Sequence, residues 1–199
     1  MADIKASFKH KPTPDIRLDS RNSFITSRAA RIRGVKVGLS FNKTVKLGIG
    51  YNWLANELET ERAYTASSGE RLTAPHQVKF AYVSPYFEYT FFREERWEAS
   101  IPVHLGVGTA RYMYTDHRGR ELRTNARGVL LYEPYMTCLY KPIRYLGVGV
   151  GTGYRLLLAG NRALPENFNS PIYVLKFNVY VGEIVKEVKR FANPQSSKP

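Results

Sequence analysis

One segment, residues 96–111 (RWEASIPVHLGVGTAR), alternates strictly between apolar residues and small or polar ones. One parity carries Trp97, Ala99, Ile101, Val103, Leu105 and Val107. The other carries Glu98, Ser100, Pro102, His104, Gly106 and Gly108. A period of two predicts a β-strand with one apolar face. Strands of soluble proteins average about five or six residues, whereas a tilted strand crosses a bilayer in roughly nine to eleven. The segment is therefore long enough to span a membrane.

The same alternation recurs along the chain, in residues 31–42, 45–56, 77–92, 128–140, 143–158 and 171–183. Short turns join some neighbours, at residues 42–44, 93–95 and 141–142. Long polar connections join the others, at residues 57–76, 115–127 and 161–170. This order of short and long connections is typical of up-and-down barrels of the outer membrane, with short periplasmic turns and long outer loops.

The alternation of connections also predicts one further strand. Seven strands would leave the two termini on opposite sides of the membrane. An eighth strand must therefore precede residue 31, and the only candidate is the segment of residues 15–25 (DIRLDSRNSFI). The sequence therefore predicts an all-β fold, an eight-stranded antiparallel transmembrane β-barrel. The domain division is a basic N-terminal segment (1–14), the barrel (15–185) and a flexible charged tail (186–199).

Alternation alone does not decide which face of the strands points outward, because a soluble lipocalin-like barrel has the same period. The polar parity is rich in glycine, as at Gly147, Gly149, Gly151 and Gly153. Small residues suit the crowded interior of a small barrel. Aromatic residues near the strand ends resemble the two interfacial girdles of membrane barrels: Trp53, Tyr154 and Tyr173 on the outer side, and Phe91, Trp97 and Tyr140 on the inner side. These features favour lipid outside.

The inward parity then carries charged residues that must pair when buried. We expect a lumen network of ion pairs from Lys46, Glu88, Glu98, His104, Glu133, Arg144 and Lys176. Such a network fills the barrel and makes it a plug and not a pore. The alternative is that some of these side chains lie in water at the rims.

The charge balance is basic, with 30 Lys and Arg against 17 Asp and Glu. This predicts a polyanionic neighbour. Basic residues of the outer loops are candidates to contact lipopolysaccharide phosphates: Arg62, Arg71, Arg118, Arg120, Arg123 and Arg127. The alternative is a solvated loop neutralised by Glu57, Glu59, Glu61, Glu70 and Glu121. No nucleic acid is expected, because the basic residues are dispersed and no recognition motif occurs.

No signature of catalysis or cofactor binding is found. The single cysteine, Cys138, excludes an internal disulfide and a cysteine zinc site. No HExxH or HxxxH spacing occurs, and GVGVGTG lacks the lysine and hydroxyl ending of a phosphate loop. Ser100 and His104 are roughly 13 Å apart along a strand, too far for proton transfer. We expect no catalytic residues, no metal and no cofactor.

A resemblance is carried by VSPYFEYTFF, RWEASIPVHLGVG, LYEPYMTCLYK and GVGTGYRLLL, within about residues 31–183. These strand patterns resemble small outer-membrane β-barrel proteins of Bacteroidetes-type bacteria. The resemblance implies an eight-stranded barrel in the outer membrane and supplies no catalytic residues. Residues 1–14 lack the apolar core of a signal peptide. An exported protein would therefore correspond to a mature chain with an added start Met.

The sequence predicts a non-enzymatic outer-membrane anchor or scaffold with a filled polar lumen, working as a subunit of an envelope complex. Its expected partners are membrane lipid, lipopolysaccharide and an envelope protein. Two alternatives stay open. One is an enzyme that modifies lipid or lipopolysaccharide at the barrel rim, and the other is a soluble lipocalin-like carrier of an apolar ligand.

Overall fold

A computed structural model of the chain describes residues 2–25, 28–56, 58–65, 71–115, 121–123, 126–159, 168–180 and 183–184. Within them the chain begins with helix α1 (Ala2–Ser7) and is otherwise built of strands. The strands are β1 (Thr13–Ile25), β2 (Arg28–Phe41), β3 (Val45–Leu54), β4 (Glu59–Thr65), β5 (Arg71–Arg93), β6 (Trp97–Thr115), β7 (Glu121–Arg123), β8 (Arg127–Ile143), β9 (Leu146–Ala159) and β10 (Ser170–Val179).

Eight of these strands form a closed antiparallel barrel in the order β1, β2, β3, β5, β6, β8, β9, β10. The ring closes because β1 pairs with β10, with Leu18 opposite Phe177. The prediction of an eight-stranded antiparallel up-and-down barrel fold is therefore confirmed. The weakly patterned first strand exists as well, and it pairs with β10 on one side and with β2 on the other.

The short turns lie together at one end of the barrel, which we call the short-turn end. Residues 42–44 join β2 to β3, residues 94–96 join β5 to β6, and residues 144–145 join β8 to β9. Asn42 and Lys43 have positive φ angles of 49° and 55°. Two such residues in succession match the twist of the strands they connect in a tight hairpin. The opposite end, from which the longer connections leave, is the long-loop end.

Two of the predicted polar connections contain strands. β4 pairs with the first part of β5, with Glu59 opposite Gln77, so residues 57–76 are not simply a loop. β7 pairs with the end of β6 in the same way, with Glu121 opposite Thr115. Sequence alternation did not mark these pieces, because backbone pairing needs no apolar face and a stretch such as ETERAYT is nearly all polar. The barrel wall is thus extended beyond the long-loop end.

The barrel is apolar outside and mostly polar inside. Outward residues such as Val107 and Val150 are 59% and 63% exposed, while the preceding residues of the other parity, Gly106 and Gly149, are buried. Interior glycines leave room for large side chains of adjacent strands. A Cβ at Gly38 would lie 2.5 Å from the Tyr86 hydroxyl oxygen, and one at Gly48 would lie 2.7 Å from the same atom. The absence of a side chain at these two glycines therefore leaves room for the Tyr86 hydroxyl.

Both terminal segments pack at the short-turn end. Ser7 at the end of α1 is buried, and the Phe8 ring lies 4.9 Å from that of Phe41. After β10, the Glu183 carboxylate pairs with Lys43 of the first short turn at 2.8 Å. In the described residues no helix is long and apolar enough to cross a membrane. The predicted tail, residues 186–199, lies outside the described residues.

Candidate functional site

The interior is the region that the alternating pattern singled out, and it is charged. Six of the seven residues predicted for the lumen network are buried inside the barrel: Lys46, Glu88, Glu98, His104, Glu133 and Lys176. Arg144 is not. It is exposed in the turn between β8 and β9, so this assignment was wrong. The reason is that the strand begins at Leu146, and a residue in the preceding turn does not follow the strand's alternation.

Glu88 is the centre of the network near the short-turn end. Its carboxylate accepts from Lys176 at 3.0 Å on both oxygens, from Lys46 at 3.3 Å, and from Arg17. The Ser100 hydroxyl donates to it at 3.1 Å. These partners come from β1, β3, β6 and β10, so one side chain on β5 links strands from around the whole barrel. Removing Glu88 would take from Lys176 its carboxylate partner among the described residues, and would leave Lys46 with Glu98 alone and Arg17 with Asp15 alone.

Glu98 closes the network at the short-turn end. It pairs with Lys46 inside the barrel and with Lys141 at 3.2 Å near the end of β8. The Tyr180 hydroxyl, just beyond β10, donates to Glu98 at 3.4 Å. Burial, with the Glu98 carboxylate adding to it, raises the pKa of the Tyr180 phenol. Tyr180 therefore remains a donor and ties the chain beyond the last strand to the barrel.

A hydrogen-bonded group around His104 occupies the centre of the barrel. Tyr135 Oη lies 2.8 Å from His104 Nε2, and Lys36 Nζ donates to the Tyr135 oxygen at 3.0 Å. Lys36 also pairs with Asp19 at 2.7 Å. On the other side of the ring, Ser84 Oγ lies 3.4 Å from His104 Nδ1. The imidazole is thereby held through both nitrogens, which fits a structural hydrogen-bonding role.

Glu133 is the second centre, nearer the long-loop end. It accepts from Arg155 at 2.6 Å, from Tyr82 at 3.0 Å on both oxygens, and from Arg21. Arg21 continues the network to Asp19 at 2.9 Å and to Asn52 at 3.1 Å. The charged groups of this part of the network lie on β1, β8 and β9. The network therefore includes β1, the strand whose pairing with β10 closes the barrel.

Sequence reasoning missed the contribution of β1. Asp15, Arg17, Asp19 and Arg21 all point inward and are at most 5% exposed. Their spacing of two residues was a usable signal, because charges on a single parity of a strand must share one face. Lys36 on β2 and Arg155 on β9 are buried inside the barrel as well, and the predicted network did not include them. A water-filled channel would leave such side chains accessible, whereas here they are buried.

Beyond the charged region, toward the long-loop end, the interior becomes apolar. At the long-loop end a cluster of buried side chains fills the barrel, including Phe80 and Phe168, whose rings lie 5.3 Å apart. The other members are Ile25, Ala30, Ile32, Leu58, Val78, Tyr82, Ala110, Tyr112, Val129, Leu131 and Leu157. The filled polar lumen expected from the sequence therefore occupies only part of the interior. Tyr82 joins the two regions, with its ring in the apolar cluster and its hydroxyl on Glu133.

The predicted surface residues are placed as follows. Trp53, Tyr154 and Tyr173 lie toward the long-loop end, while Phe91, Trp97 and Tyr140 lie toward the short-turn end, where the Trp97 and Tyr140 rings are 4.9 Å apart. Of the predicted phosphate contacts, Arg127 is exposed at the start of β8. Arg62, Arg71 and Arg123 lie in β4, β5 and β7, with side chains outside the described part. Arg118 and Arg120 lie outside the described residues.

Groups that could carry out chemistry are sparse in the described part of the chain. No three His, Cys, Asp or Glu side chains there are arranged to hold a metal ion. Ser84 and His104 are the adjacent serine and histidine that the alternation did not single out, but both are buried, and His104 also contacts Tyr135 and Lys36. The loop residues Ser67, Ser68, Asp116 and His117 lie outside the described residues.

Comparisons with known proteins extend the description of the fold. No protein-family model matches the chain, and no curated protein matches it in sequence. The structure of Neisserial surface protein A is similar at a TM-score of 0.57 with 10% identity, over 84% of this chain and 96% of that one. The N-terminal β-barrel domain of Pseudomonas aeruginosa OprF is similar at a TM-score of 0.47 with 9% identity, over 85% of this chain and 98% of that one. Ail, the attachment invasion locus protein of Yersinia pestis, is similar at a TM-score of 0.44 with 14% identity, over 84% of this chain and 96% of that one. These neighbours are outer-membrane barrels of eight strands. At 10% identity, the likeness to Neisserial surface protein A shows the fold alone.

Proposed function

We propose that this protein is a non-enzymatic β-barrel of the bacterial outer membrane that serves as an anchor or scaffold, as a subunit of an envelope complex. The observation that carries the proposal is the inverted arrangement of the barrel, with its apolar side chains outside and its charged side chains inside. The resemblance to Bacteroidetes-type barrels forms part of the same proposal, and the loops and the termini would carry recognition.

The exterior supports a lipid environment. All around the barrel, large apolar side chains are between about a third and two thirds exposed, among them Leu18, Val37, Ile49, Val83, Leu105, Val107, Val148, Val150, Leu175 and Phe177. Soluble monomers rarely expose a contiguous apolar surface above a few hundred Å². A lipocalin-like carrier would need its apolar face inward around a ligand. In this barrel the inward face carries ion pairs, so the membrane interpretation is favoured over the carrier.

The interior supports an anchor over a pore. Arg17, Arg21, Lys36 and Lys46 are at most 2% exposed and are held by carboxylates. The apolar cluster closes the other end. We expect the barrel to show no conductance above background in planar bilayers. Steady open-channel currents from the purified full chain would contradict the filled lumen and favour a transport role.

An enzymatic role has less support. The serine and histidine that approach each other, Ser84 and His104, are buried in the network. Lipase and deacylase assays on lipid and lipopolysaccharide test this point with the full chain. Activity that is lost on a single loop substitution, such as S67A or S68A, would replace the scaffold proposal by the enzyme alternative.

One substitution tests the membrane face directly. Leu105→Arg places a charge on the outward surface of β6, about midway along the strand between Trp97 and Arg111, and should cost about 2–4 kcal/mol of stability at the midplane of a bilayer. Ile143→Arg at the short-turn end is the matched control and should cost about 0–1 kcal/mol. The measurement is urea unfolding of protein inserted into phosphatidylcholine vesicles, followed by heat-modifiable gel migration. A full chain that folds in plain buffer and does not insert would contradict the proposal.

A further inference from the structure

A group of basic side chains lies on the outer surface near the long-loop end, separate from the interior network and from the predicted loop arginines. Lys79 on β5 is directly opposite Arg111 on β6, and both are exposed. Arg33 on β2, also exposed, is opposite Trp53 on β3. Trp53 in turn is opposite Ala81, and Ala81 is opposite Thr109. We call Arg33, Lys79 and Arg111 the outer basic patch.

The two facing cations have no counter-charge among the described side chains. None of the ion pairs found there includes a residue of the outer basic patch. Like charges directly opposite each other on one face of a sheet repel. An anion bound between Lys79 and Arg111 would remove that repulsion and accept from both donors. Charge-assisted hydrogen bonds from arginine and lysine are a common way in which proteins hold phosphate.

The same place has a groove for an apolar group. A surface groove of about 360 Å³ is lined by Lys79, Arg111, Trp53, Leu54, Ala81 and Met113. The short side chains of Ala81 and Thr109 line the groove between the larger ones. The cations therefore border a groove that is otherwise mostly apolar, which suits a ligand with an anionic end and a hydrocarbon part.

The position of the patch along the barrel indicates the source of that ligand. Two same-face positions along the strands toward the middle of the barrel, past Ala81 and Thr109, lie Val83 and Val107, which are 45% and 59% exposed and belong to the apolar surface. The patch is thus at the height where the apolar surface ends and where lipid headgroups begin. Trp53 at this boundary is typical of an interfacial aromatic.

We propose that the outer basic patch binds the phosphate of an acylated lipid in the leaflet at the long-loop end, with Lys79 and Arg111 holding the phosphate and the groove beside Trp53 and Met113 receiving the apolar part. The inference rests on the membrane placement proposed above. In an outer membrane whose long-loop end faces outward, this lipid would be the phosphorylated, acylated glucosamine anchor of lipopolysaccharide.

The test is a binding titration on the full chain in an uncharged detergent, read by native mass spectrometry. The probes are lipid A that carries its phosphates and the same lipid after dephosphorylation. We expect the phosphorylated form to bind about tenfold more tightly, which corresponds to about 1.4 kcal/mol. The double variant Lys79→Gln and Arg111→Gln should lose this preference. The control variant, Arg96→Gln and Arg144→Gln, removes two exposed cations at the short-turn end and should keep it.

Each outcome separates the possibilities. Equal binding of the two lipid forms, or equal loss in the control variant, overturns the site. Displacement of lipid by millimolar inorganic phosphate overturns the lipid assignment, because it shows a simple anion site. Heat-modifiable migration verifies that each variant is folded. Insertion into phosphatidylcholine vesicles is measured separately. A chain that inserts but shows no preference for the phosphorylated lipid overturns this inference alone. A chain that does not insert overturns the proposed function.

Discussion

The two halves of the barrel interior solve the same packing problem with different chemistry. Toward the short-turn end the space is filled by ion pairs around Glu88 and Glu98, and toward the long-loop end by apolar side chains around Phe80 and Phe168. Both halves are buried. They differ in directionality, since an ion pair requires particular partners and an apolar contact does not.

The charged half therefore determines which strands face each other across the barrel. Arg17 on the first barrel strand reaches Glu88 on β5, and Lys176 on the last strand reaches the same carboxylate. The apolar half contributes burial and closes the network off from water at its end. We expect the ion pairs to give the barrel its specificity of closure and the apolar cluster to give non-directional stability.

The largest expected effect tests the charged half. Glu88→Gln leaves Arg17, Lys46 and Lys176 without their shared counter-charge, and breaking such a buried arrangement costs about 3–5 kcal/mol. Unfolding in urea, monitored in vesicles by circular dichroism and gel migration, measures this loss. Glu95→Gln, the same chemical change in an exposed turn, is the control. Equal stability of the two variants would show that the ion pairs do not matter for closure.

A somewhat smaller effect tests the apolar half. Leu131→Ala removes a fully buried side chain from the apolar cluster and should cost about 2–4 kcal/mol through lost burial and the cavity that remains. The same unfolding assay applies. Leu158→Ala, on the outward face of β9, should cost clearly less because that side chain is 55% exposed. If both variants lose the same stability, the interior cluster is not close-packed.

The smallest effect sharpens the comparison within the charged half. Tyr135 and Tyr86 both stack on His104, with ring centroids 5.2 Å and 5.4 Å away. The Tyr135 hydroxyl contacts Lys36 and His104, whereas the Tyr86 hydroxyl has no hydrogen-bond partner among the described residues. Tyr135→Phe should therefore cost about 1–2 kcal/mol, and Tyr86→Phe less than about 0.5 kcal/mol. A reversed order in the unfolding midpoints would contradict the network as drawn.

Much of the fold follows from alternation, because parity along a strand fixes which side chains share a face. That rule gave the outward and inward sets of β6, β8 and β10, and it required an eighth strand that the structure contains as β1. It gave no account of β4 and β7, which pair through their backbones. It also misplaced Arg144, because parity does not extend into a turn.

The pairings inside the barrel lay beyond the reach of the sequence. Arg21 and Glu133 are separated by 112 residues, and their contact depends on the stagger of strands around a closed ring, which parity does not determine. The apolar cluster was missed for a related reason. Residues such as Val78, Leu131 and Leu157 lie on the polar parity, where a single apolar residue does not reveal that several others meet it at the same height.

The pairing of the first strand with the last determines when the barrel can assemble. Glu88 receives Arg17 from β1 and Lys176 from β10, so its set of partners is complete only after the whole chain has been made. Until then an open sheet in the bilayer would present these charges to hydrocarbon, at a cost of several kcal/mol. Strands cannot enter the membrane one by one on these terms. For a barrel placed in a bilayer as proposed, we expect insertion and ring closure to proceed together, as a single late step that follows synthesis of β10.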